Sequence, residues 1–274
     1  MAGCWRGCGW LAFVCSPLGK NMHILVTNDD GVMAPGLLAL AQAMRQIGTV
    51  SVLAPDRNWS ASGHVKTLSR PLRVQEVILA DGSKALASDG APSDCVALAL
   101  LGMVEKVDLV VSGVNPYSNM GHDVTYSGTV TAAMEAVIAG VPGVAFSLAG
   151  NEHLGELDYA PAGAVAQKVI NRLIQHGLRS NFLLNVNVPV LPIEKIAGFR
   201  ITRQGLSVYR DELNKRLDPR GRPYYWIGGD VPTGIPDEGT DFGAIAQGYV
   251  SITPLQLDLT AYRTAQELSS WIWQ

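Results

Sequence analysis

Short apolar runs alternate with longer stretches of helical period along most of this chain. The apolar runs end in polar or turn residues and predict buried strands at 23–27, 50–55, 107–112, 144–148 and 182–188. The stretches between them predict helices at 34–44, 95–103, 130–139 and 160–176. Strands joined through a helix of about a dozen residues are expected to be parallel, with right-handed crossovers. The pattern therefore predicts an α/β fold with a doubly wound, mostly parallel sheet and helices on both faces.

Other parts of the chain are less regular. Segments 72–78 and 84–88 predict two further strands, joined as a hairpin around Asp81-Gly82. From about residue 198 the chain is rich in Pro, Gly and aromatic residues without a helical period, which predicts an extended arm or hairpin. Its aromatic residues are expected to pack on another subunit. A strand at 249–255 and a helix at 261–273 follow.

These elements divide the chain into an α/β core over 22–197, an arm with a returning strand over 198–260, and a C-terminal helix over 261–274. Residues 1–21 stand apart, since 4–15 hold one basic residue around a short apolar centre, a weak likeness to a signal peptide. We interpret these residues as an upstream extension, with Met22 as the functional start.

The cysteine pattern indicates a reducing compartment. Three of the four cysteines lie in the first fifteen residues, and only Cys95 lies in the body of the chain, so no disulfide framework is expected. No run of about twenty apolar residues predicts a membrane-spanning helix. We therefore expect a cytoplasmic protein without a membrane partner.

Composition limits the classes of ligand. The 274 residues are 47% apolar, which is ample for a sizeable core. The 21 Lys and Arg residues against 24 Asp and Glu residues give a net charge of -3, so no basic field attracts nucleic acid. A phosphorylated ligand is expected to be a small molecule held at a local site.

Oxygen-bearing side chains follow three of the predicted strands. Because loops at the carboxyl ends of parallel strands share one edge of a sheet, we expect 28–31, 56–64 and 113–123 to meet. Their candidate ligands are Asp29, Asp30, either Ser60 or Ser62, and either Asn115 or Asn119. Such a set suits a hard divalent cation such as Mg2+ or Mn2+. A thiolate zinc site is excluded because only Cys95 lies in the domain.

Each polar motif also has a purely structural interpretation. An Asp in such a loop commonly caps a helix, although a second adjacent Asp gains little from capping. The segment Ser127-Gly128-Thr129 is either a phosphate cradle or an ordinary helix cap. His64 and His122 serve proton transfer or lie at the surface. The HExxH, GxGxxG, GxxxxGK[ST] and GxSxG motifs are absent from the sequence.

Several motifs, in this order along the chain, resemble the SurE (survival protein E) family of nucleotidases. They are Ile24-Leu25-Val26-Thr27-Asn28-Asp29-Asp30-Gly31, Ala54-Pro55-Asp56 with Ser60-Ala61-Ser62-Gly63, Val111-Ser112-Gly113-Val114-Asn115, Tyr126-Ser127-Gly128-Thr129-Val130, and Gly248-Tyr249-Val250-Ser251-Ile252-Thr253-Pro254-Leu255. The resemblance spans residues from about 22 to 260.

The resemblance implies a Rossmann-like core and a phosphatase that hydrolyses nucleoside 5'-monophosphates, with 3'-monophosphates as an additional substrate class. It implies one divalent metal ion per subunit, Mg2+ or Mn2+, held by Asp29, Asp30, Ser60 and Asn115. Neighbours of the phosphate would be Asn28, Asn119, Ser127, Gly128 and Thr129. The arm over 200–240 would be exchanged between subunits of a homodimer or homotetramer.

One position departs from the family pattern. The family has Asn-x-Gly-x-Asn where this chain has Asn115-Pro116-Tyr117-Ser118-Asn119. Since glycine permits a positive φ or close approach to a ligand, Tyr117 raises the question of an altered loop or altered substrate affinity. Rival hypotheses are a hydrolase of polyphosphate or another phosphomonoester, a non-catalytic nucleotide or metal sensor, and an assembly module centred on the arm.

Overall fold

Strands and helices alternate through most of the chain in a computed structural model that describes residues 22–150 and 156–273. The strands are β1 (His23–Thr27), β2 (Thr49–Pro55), β3 (Val74–Ile78), β4 (Lys84–Ser88), β5 (Leu109–Tyr117), β6 (Gly143–Gly150), β7 (Leu183–Val188), β8 (Phe199–Ile201), β9 (Ser207–Leu217), β10 (Pro223–Gly234) and β11 (Val250–Pro254). The helices are α1 (Pro35–Arg45), α2 (Pro92–Leu98), α3 (Gly128–Ile138), α4 (Ala160–Gln175), α5 (Asp241–Ala246) and α6 (Tyr262–Ser269).

Nine strands form one sheet in the order β3-β4-β2-β1-β5-β6-β7-β11-β8. The pairs are parallel except that β3 runs antiparallel to β4 and β11 antiparallel to β7. The chain first builds outward from β1 to β2 and then returns to place β5 on the other side of β1. This reversal of strand order confirms the predicted doubly wound, mostly parallel sheet.

The central strands are buried because helices cover both faces of the sheet. Side chains that alternate along β1 enter different cores, with Ile24 and Val26 in one and Leu25 in the other. The first core includes Leu37 of α1 and Ile170 of α4, whereas the second includes residues of α2 and α3. This double coverage explains why the strands are continuous apolar runs in the sequence.

Several boundaries differ from the predicted ones, and two of the differences have a clear structural reason. β5 continues through Tyr117 instead of ending at Ser112, because Asn115 and Tyr117 stay paired with Ser147 and Gly150 of β6. The predicted helix 95–103 is α2 followed by a π-helical turn over Ala99–Met103, where Gly102 adopts a φ of 118° that an α-helix does not allow.

β9 and β10 form a separate antiparallel hairpin, as the sequence predicts for the arm. Leu213, Tyr225 and Ile227 lie on the same face of the hairpin, because residue 213 pairs with 227 and residue 215 with 225. All three side chains are exposed. α6 likewise buries none of its residues in the described chain. In the ranges 22–150 and 156–273, no helix is long and apolar enough to cross a membrane.

Asp241, at the start of α5, ties the base of the hairpin to the loop after β5. Its fully buried carboxylate accepts hydrogen bonds from the backbone nitrogens of Gly121 at 2.8 Å, Gly205 at 2.8 Å and Phe242 at 2.9 Å. The loop that follows β5 is therefore held from the arm side as well as from the sheet.

We expect Asp241→Ala to lower the free energy of unfolding by about 2–4 kcal/mol, because buried N–H donors would lose their acceptor. Chemical denaturation measures this loss. Glu76→Ala is the control, since Glu76 makes an exposed ion pair with Lys84, and it should cost under about 1 kcal/mol. If both substitutions lowered the free energy of unfolding equally, the stabilising role of the Asp241 carboxylate would be contradicted.

Candidate functional site

The candidate site lies where the strand order reverses, between the carboxyl ends of β1 and β5. β1 pairs with β2 on one side and with β5 on the other, so the chain leaves β1 and β5 in opposite directions. Such a reversal opens a crevice outside the sheet, and ligands of open α/β sheets bind there. Asn28, Asp29 and Asp30 follow β1, and Asn115 lies near the end of β5.

A tight turn presents the two carboxylates. The Asn28 side chain donates from Nδ2 to the Gly31 carbonyl at 3.0 Å and accepts from the Gly31 nitrogen at 3.2 Å. Gly31 adopts a φ of 106°, which favours glycine. The N-cap of α1 is Ala34, without a side-chain cap. Neither Asp29 nor Asp30 therefore caps the following helix, contrary to the structural alternative.

Asp29 is only 3% exposed and faces the N-terminus of α3. Its carboxylate accepts from the Thr129 hydroxyl and from backbone N–H groups of Gly128 and Thr129. A Cβ on Gly128 would lie 2.7 Å from the Asp29 Cβ, so only glycine allows this approach. Burial raises the pKa of Asp29, and these hydrogen bonds oppose the rise. The helix N-terminus thus stabilises a carboxylate of the protein itself.

Within the same motif, Ser127 is the N-cap of α3. Its hydroxyl accepts from the Val130 nitrogen at 3.1 Å. Ser127 therefore has the capping role that the sequence offered as one alternative, while Gly128 and Thr129 contact Asp29.

Asp30 has a different environment, although it is the next residue. Its Oδ2 is buried and has no hydrogen-bond partner within the described ranges. Burial and the neighbouring Asp29 charge raise the pKa of Asp30 to about 7. An unpaired buried carboxylate oxygen is costly unless a cation or donor meets it. Asp30 is thus the side chain whose surroundings fit a metal ion.

The second loop reaches the site through its backbone. The Trp59 nitrogen donates to the Asp29 carbonyl at 2.7 Å, which brings Ser60 next to the carboxylate turn. Ser60 is exposed, and its nitrogen donates to Asn58 Oδ1 at 2.7 Å. The Ser62 hydroxyl is buried without a partner in the described chain. Both hydroxyls therefore lie in the loop that meets Asp29.

α3 also fixes the far end of this loop. Glu135, buried on α3, bonds His64 Nε2 at 2.9 Å and Lys66 Nζ at 2.9 Å. The Thr131 hydroxyl donates to the Gly63 carbonyl at 3.0 Å. The contacts of His64 thus support the loop. His122 is exposed, and its backbone nitrogen donates to the Ser207 hydroxyl at 3.1 Å.

The end of β5 and the loop that follows it contribute two buried amides with different surroundings. Asn115 Nδ2 donates to the Tyr117 carbonyl at 2.6 Å, which fixes the orientation of its amide. Asn119 instead belongs to a buried network. Its nitrogen donates to Asn187 Oδ1 at 2.9 Å, and its carbonyl accepts from Asn185 Nδ2 at 2.6 Å and Asn187 Nδ2 at 3.1 Å. The Asn119 side chain donates to Ser147 Oγ at 2.8 Å.

Sequence reasoning missed Asn185 and Asn187. Both interrupt β7, a strand whose six residues are all buried, at positions two apart and so on one face. Amides in such a strand require hydrogen-bond partners. Their presence in an otherwise apolar run was the available signal, but the sequence does not identify the partner.

The donor set is dominated by oxygen. Across 22–150 and 156–273, no group of three or more His, Cys, Asp or Glu side chains is arranged to hold a metal ion. A cation at this crevice would therefore have two carboxylates, completed by neutral oxygens of Ser and Asn. That chemistry suits a hard divalent ion.

Comparisons with known proteins agree on one family. The family described as Survival protein SurE matches residues 24–211. A protein named 5'-nucleotidase SurE from Herpetosiphon aurantiacus is 54% identical over 92% of this chain and 99% of its own. One with the same name from Chloroflexus aggregans is 51% identical over 92% and 100%. The crystal structure of the SurE protein from Aquifex aeolicus aligns with a TM-score of 0.76 at 38% identity, covering 90% of this chain and 98% of that one.

In the metal-free protein, we expect the stability of Asp30→Asn relative to the unsubstituted protein to increase as pH rises. Between pH 4 and 7 the folded chain keeps a proton on Asp30 that the unfolded chain has released, since the folded pKa is about 7. The free energy of unfolding of the unsubstituted protein therefore falls by up to about 1.4 kcal/mol per pH unit in this window. Asp30→Asn has no titrating carboxyl at this position, so its free energy of unfolding lacks this fall with pH. Denaturation at several pH values in chelator measures the difference.

Asp81→Asn is the control, because hydrogen bonds to Ser83 hold the pKa of the exposed Asp81 below its usual range. The stability contributed by Asp81 is present above its unfolded pKa and is lost only as pH falls. The Asp81→Asn difference should therefore stay constant from pH 5 to 8. An Asp30→Asn difference that is flat or falls across pH 4–7 would contradict the burial argument.

Proposed function

This chain belongs to the SurE family, and we propose that it is a divalent-metal-dependent 5'-nucleotidase that hydrolyses nucleoside 5'-monophosphates to nucleoside and phosphate. The observation that carries the proposal is the unpaired Asp30 oxygen, buried beside Asp29 at the sheet's switch point. A site for a nucleotide phosphate needs positive charge, and within 22–150 and 156–273 no cationic side chain lowers the pKa of Asp29 or Asp30. Family membership and the names of the relatives support the reaction.

We assign the metal to Asp29, Asp30, Ser60 and Asn115, with one ion per subunit and Mg2+ or Mn2+ as the ion. Such an ion, when bound, supplies a Lewis acid for a phosphate oxygen and a water of lowered pKa. Asp30 contributes the oxygen that has no other partner. Ser60 is preferred to Ser62, and Asn115 to Asn119, by the family pattern.

The remaining residues hold these ligands in place. Thr129 and Gly128 fix the Asp29 carboxylate, and the Asn28 side chain fixes the turn that carries Asp30. We propose that the phosphate lies outside the Asp29 carboxylate, within the positive field of the α3 N-terminus formed by Ser127, Gly128 and Thr129, with Asn28 and Asn119 beside it. Preorganised groups of this kind stabilise transition-state charge without moving during the reaction.

We further propose that subunits assemble through the 200–240 arm into a homodimer or homotetramer. The apolar face of the hairpin, formed by Leu213, Tyr225 and Ile227, supports this assembly because such a face is costly in water. The substrate is a small nucleotide. The cytoplasmic location expected from the cysteine pattern stays a prediction.

A phosphate-release panel tests the reaction. It compares nucleoside 5'- and 3'-monophosphates and short polyphosphate with Mg2+, Mn2+ or chelator. We expect release from 5'-monophosphates that chelator abolishes, and Asp30→Asn should lower kcat/KM on the order of 100-fold or more, because it removes a charged ligand. Asp81→Asn, on the β3–β4 turn, should leave activity unchanged.

The outcomes of the panel separate the rival functions. Nucleotide binding without phosphate release over hours would indicate a sensor. Faster release from polyphosphate than from any nucleotide would change the substrate class. Unchanged activity and chelator sensitivity in Asp30→Asn would contradict the metal assignment.

The assembly is tested by Ile227→Glu. A charge in the middle of the apolar hairpin face should dissociate the oligomer, measured as molar mass by light scattering after size exclusion. Glu212→Gln, on the opposite face of the same hairpin, is the matched control and should keep the oligomer. An unchanged mass for Ile227→Glu would place the interface elsewhere.

A further inference from the structure

Tyr117, which departs from the family pattern, is an exposed aromatic side chain at the rim of the crevice. It is the last residue of β5, 48% exposed, and its carbonyl accepts from Asn115 Nδ2 at 2.6 Å. Among the described non-glycine residues only Ala61 has a positive φ, so the position of Tyr117 does not require glycine. The tyrosine therefore adds a side chain beside a proposed metal ligand without straining the backbone.

Tyr159 forms a second aromatic surface on the same side of the crevice. It precedes α4, is partly buried, and packs closely on α1, since a Cβ on Gly36 would lie 2.9 Å from Tyr159 Cε1. Burial, and then the charges of Asp30 and Tyr117, raise the pKa of Tyr159. A Cβ on Gly36 would also lie 2.1 Å from the Val114 carbonyl, so Tyr159 lies beside the part of β5 that leads to Asn115 and Tyr117.

The two ends of the crevice have different chemistry. Asp29 meets α3, which covers one face of the sheet, whereas Tyr159 packs with α1 and α4 on the opposite face. Asp30 and Asn115 lie at the strand ends between them. The crevice therefore runs from a helix N-terminus, past oxygen ligands, to two tyrosines.

A nucleoside 5'-monophosphate has the same order of groups, namely an anionic phosphate, a ribose and a flat aromatic base. We propose that Tyr117 stacks on the base of the bound nucleotide, with Tyr159 as the neighbouring wall, and that this contact makes the protein prefer nucleotides over phosphate esters without a base. The inference rests on the proposed nucleotidase function. Because every base has a π-face, the stack selects for a base without selecting which one.

The test compares Tyr117→Leu with Tyr117→Phe on adenosine 5'-monophosphate and ribose 5-phosphate. Leu keeps apolar bulk but removes the aromatic face, whereas Phe keeps the face and removes the hydroxyl. Tyr117→Leu should lower kcat/KM for adenosine 5'-monophosphate about 5- to 100-fold, the effect of losing one base–aromatic stack. It should change kcat/KM for ribose 5-phosphate less than about 2-fold, and Tyr117→Phe should stay within about 3-fold on both substrates.

Equal losses on both substrates would overturn the proposal, because they would mean that Tyr117 acts through the loop. No loss on either would show that it does not touch substrate. If the unsubstituted protein hydrolyses neither substrate, the proposed function fails separately. Saturation-transfer NMR with adenosine then tests the stacking contact. The proposal requires adenosine to bind the unsubstituted protein and Tyr117→Phe, and to bind Tyr117→Leu more weakly.

Discussion

The rest of the structure depends on two adjacent carboxylates buried at the end of a central strand. Burial opposes the charged form of both Asp29 and Asp30, and the Asp29 charge further opposes ionisation of Asp30. The fold relieves this cost at Asp29 with the N-terminus of α3, Gly128 and the Thr129 hydroxyl. It leaves Asp30 Oδ2 without a partner in the described chain. Buried carboxylates whose charged form is this unfavourable are typical of functional sites.

The doubly wound sheet makes this arrangement possible. All five residues of β1 are buried, and the reversal of strand order leaves space beside its carboxyl end. Each loop around that space is tied to another element. Trp59 bonds the Asp29 carbonyl, Asn119 is held by amides of β7, and Asp241 holds the loop after β5 from the arm. These contacts hold the proposed metal ligands in place, although the ligands are far apart in the sequence.

The sequence predicted much of the fold, because strands buried on both faces leave continuous apolar runs and the helices between them keep their period. It also indicated the Asp29 and Asp30 pair, since one cap cannot use two carboxylates. It did not predict that β5 extends to Tyr117, because that extension depends on pairing with β6. Nor did it separate the capping role of Ser127 from the Gly128 contact with Asp29, or locate Tyr159 near Asp30. These contacts form between segments far apart in the chain.

A crystal structure of the protein with Mn2+, recorded at the manganese absorption edge, tests the central claim most directly. The account predicts one anomalous peak per subunit in the crevice between β1 and β5, within coordination distance of Asp30 Oδ2 and shared with Asp29, Ser60 and Asn115. An empty crevice at saturating Mn2+, or a peak that Asp30 does not contact, would contradict it.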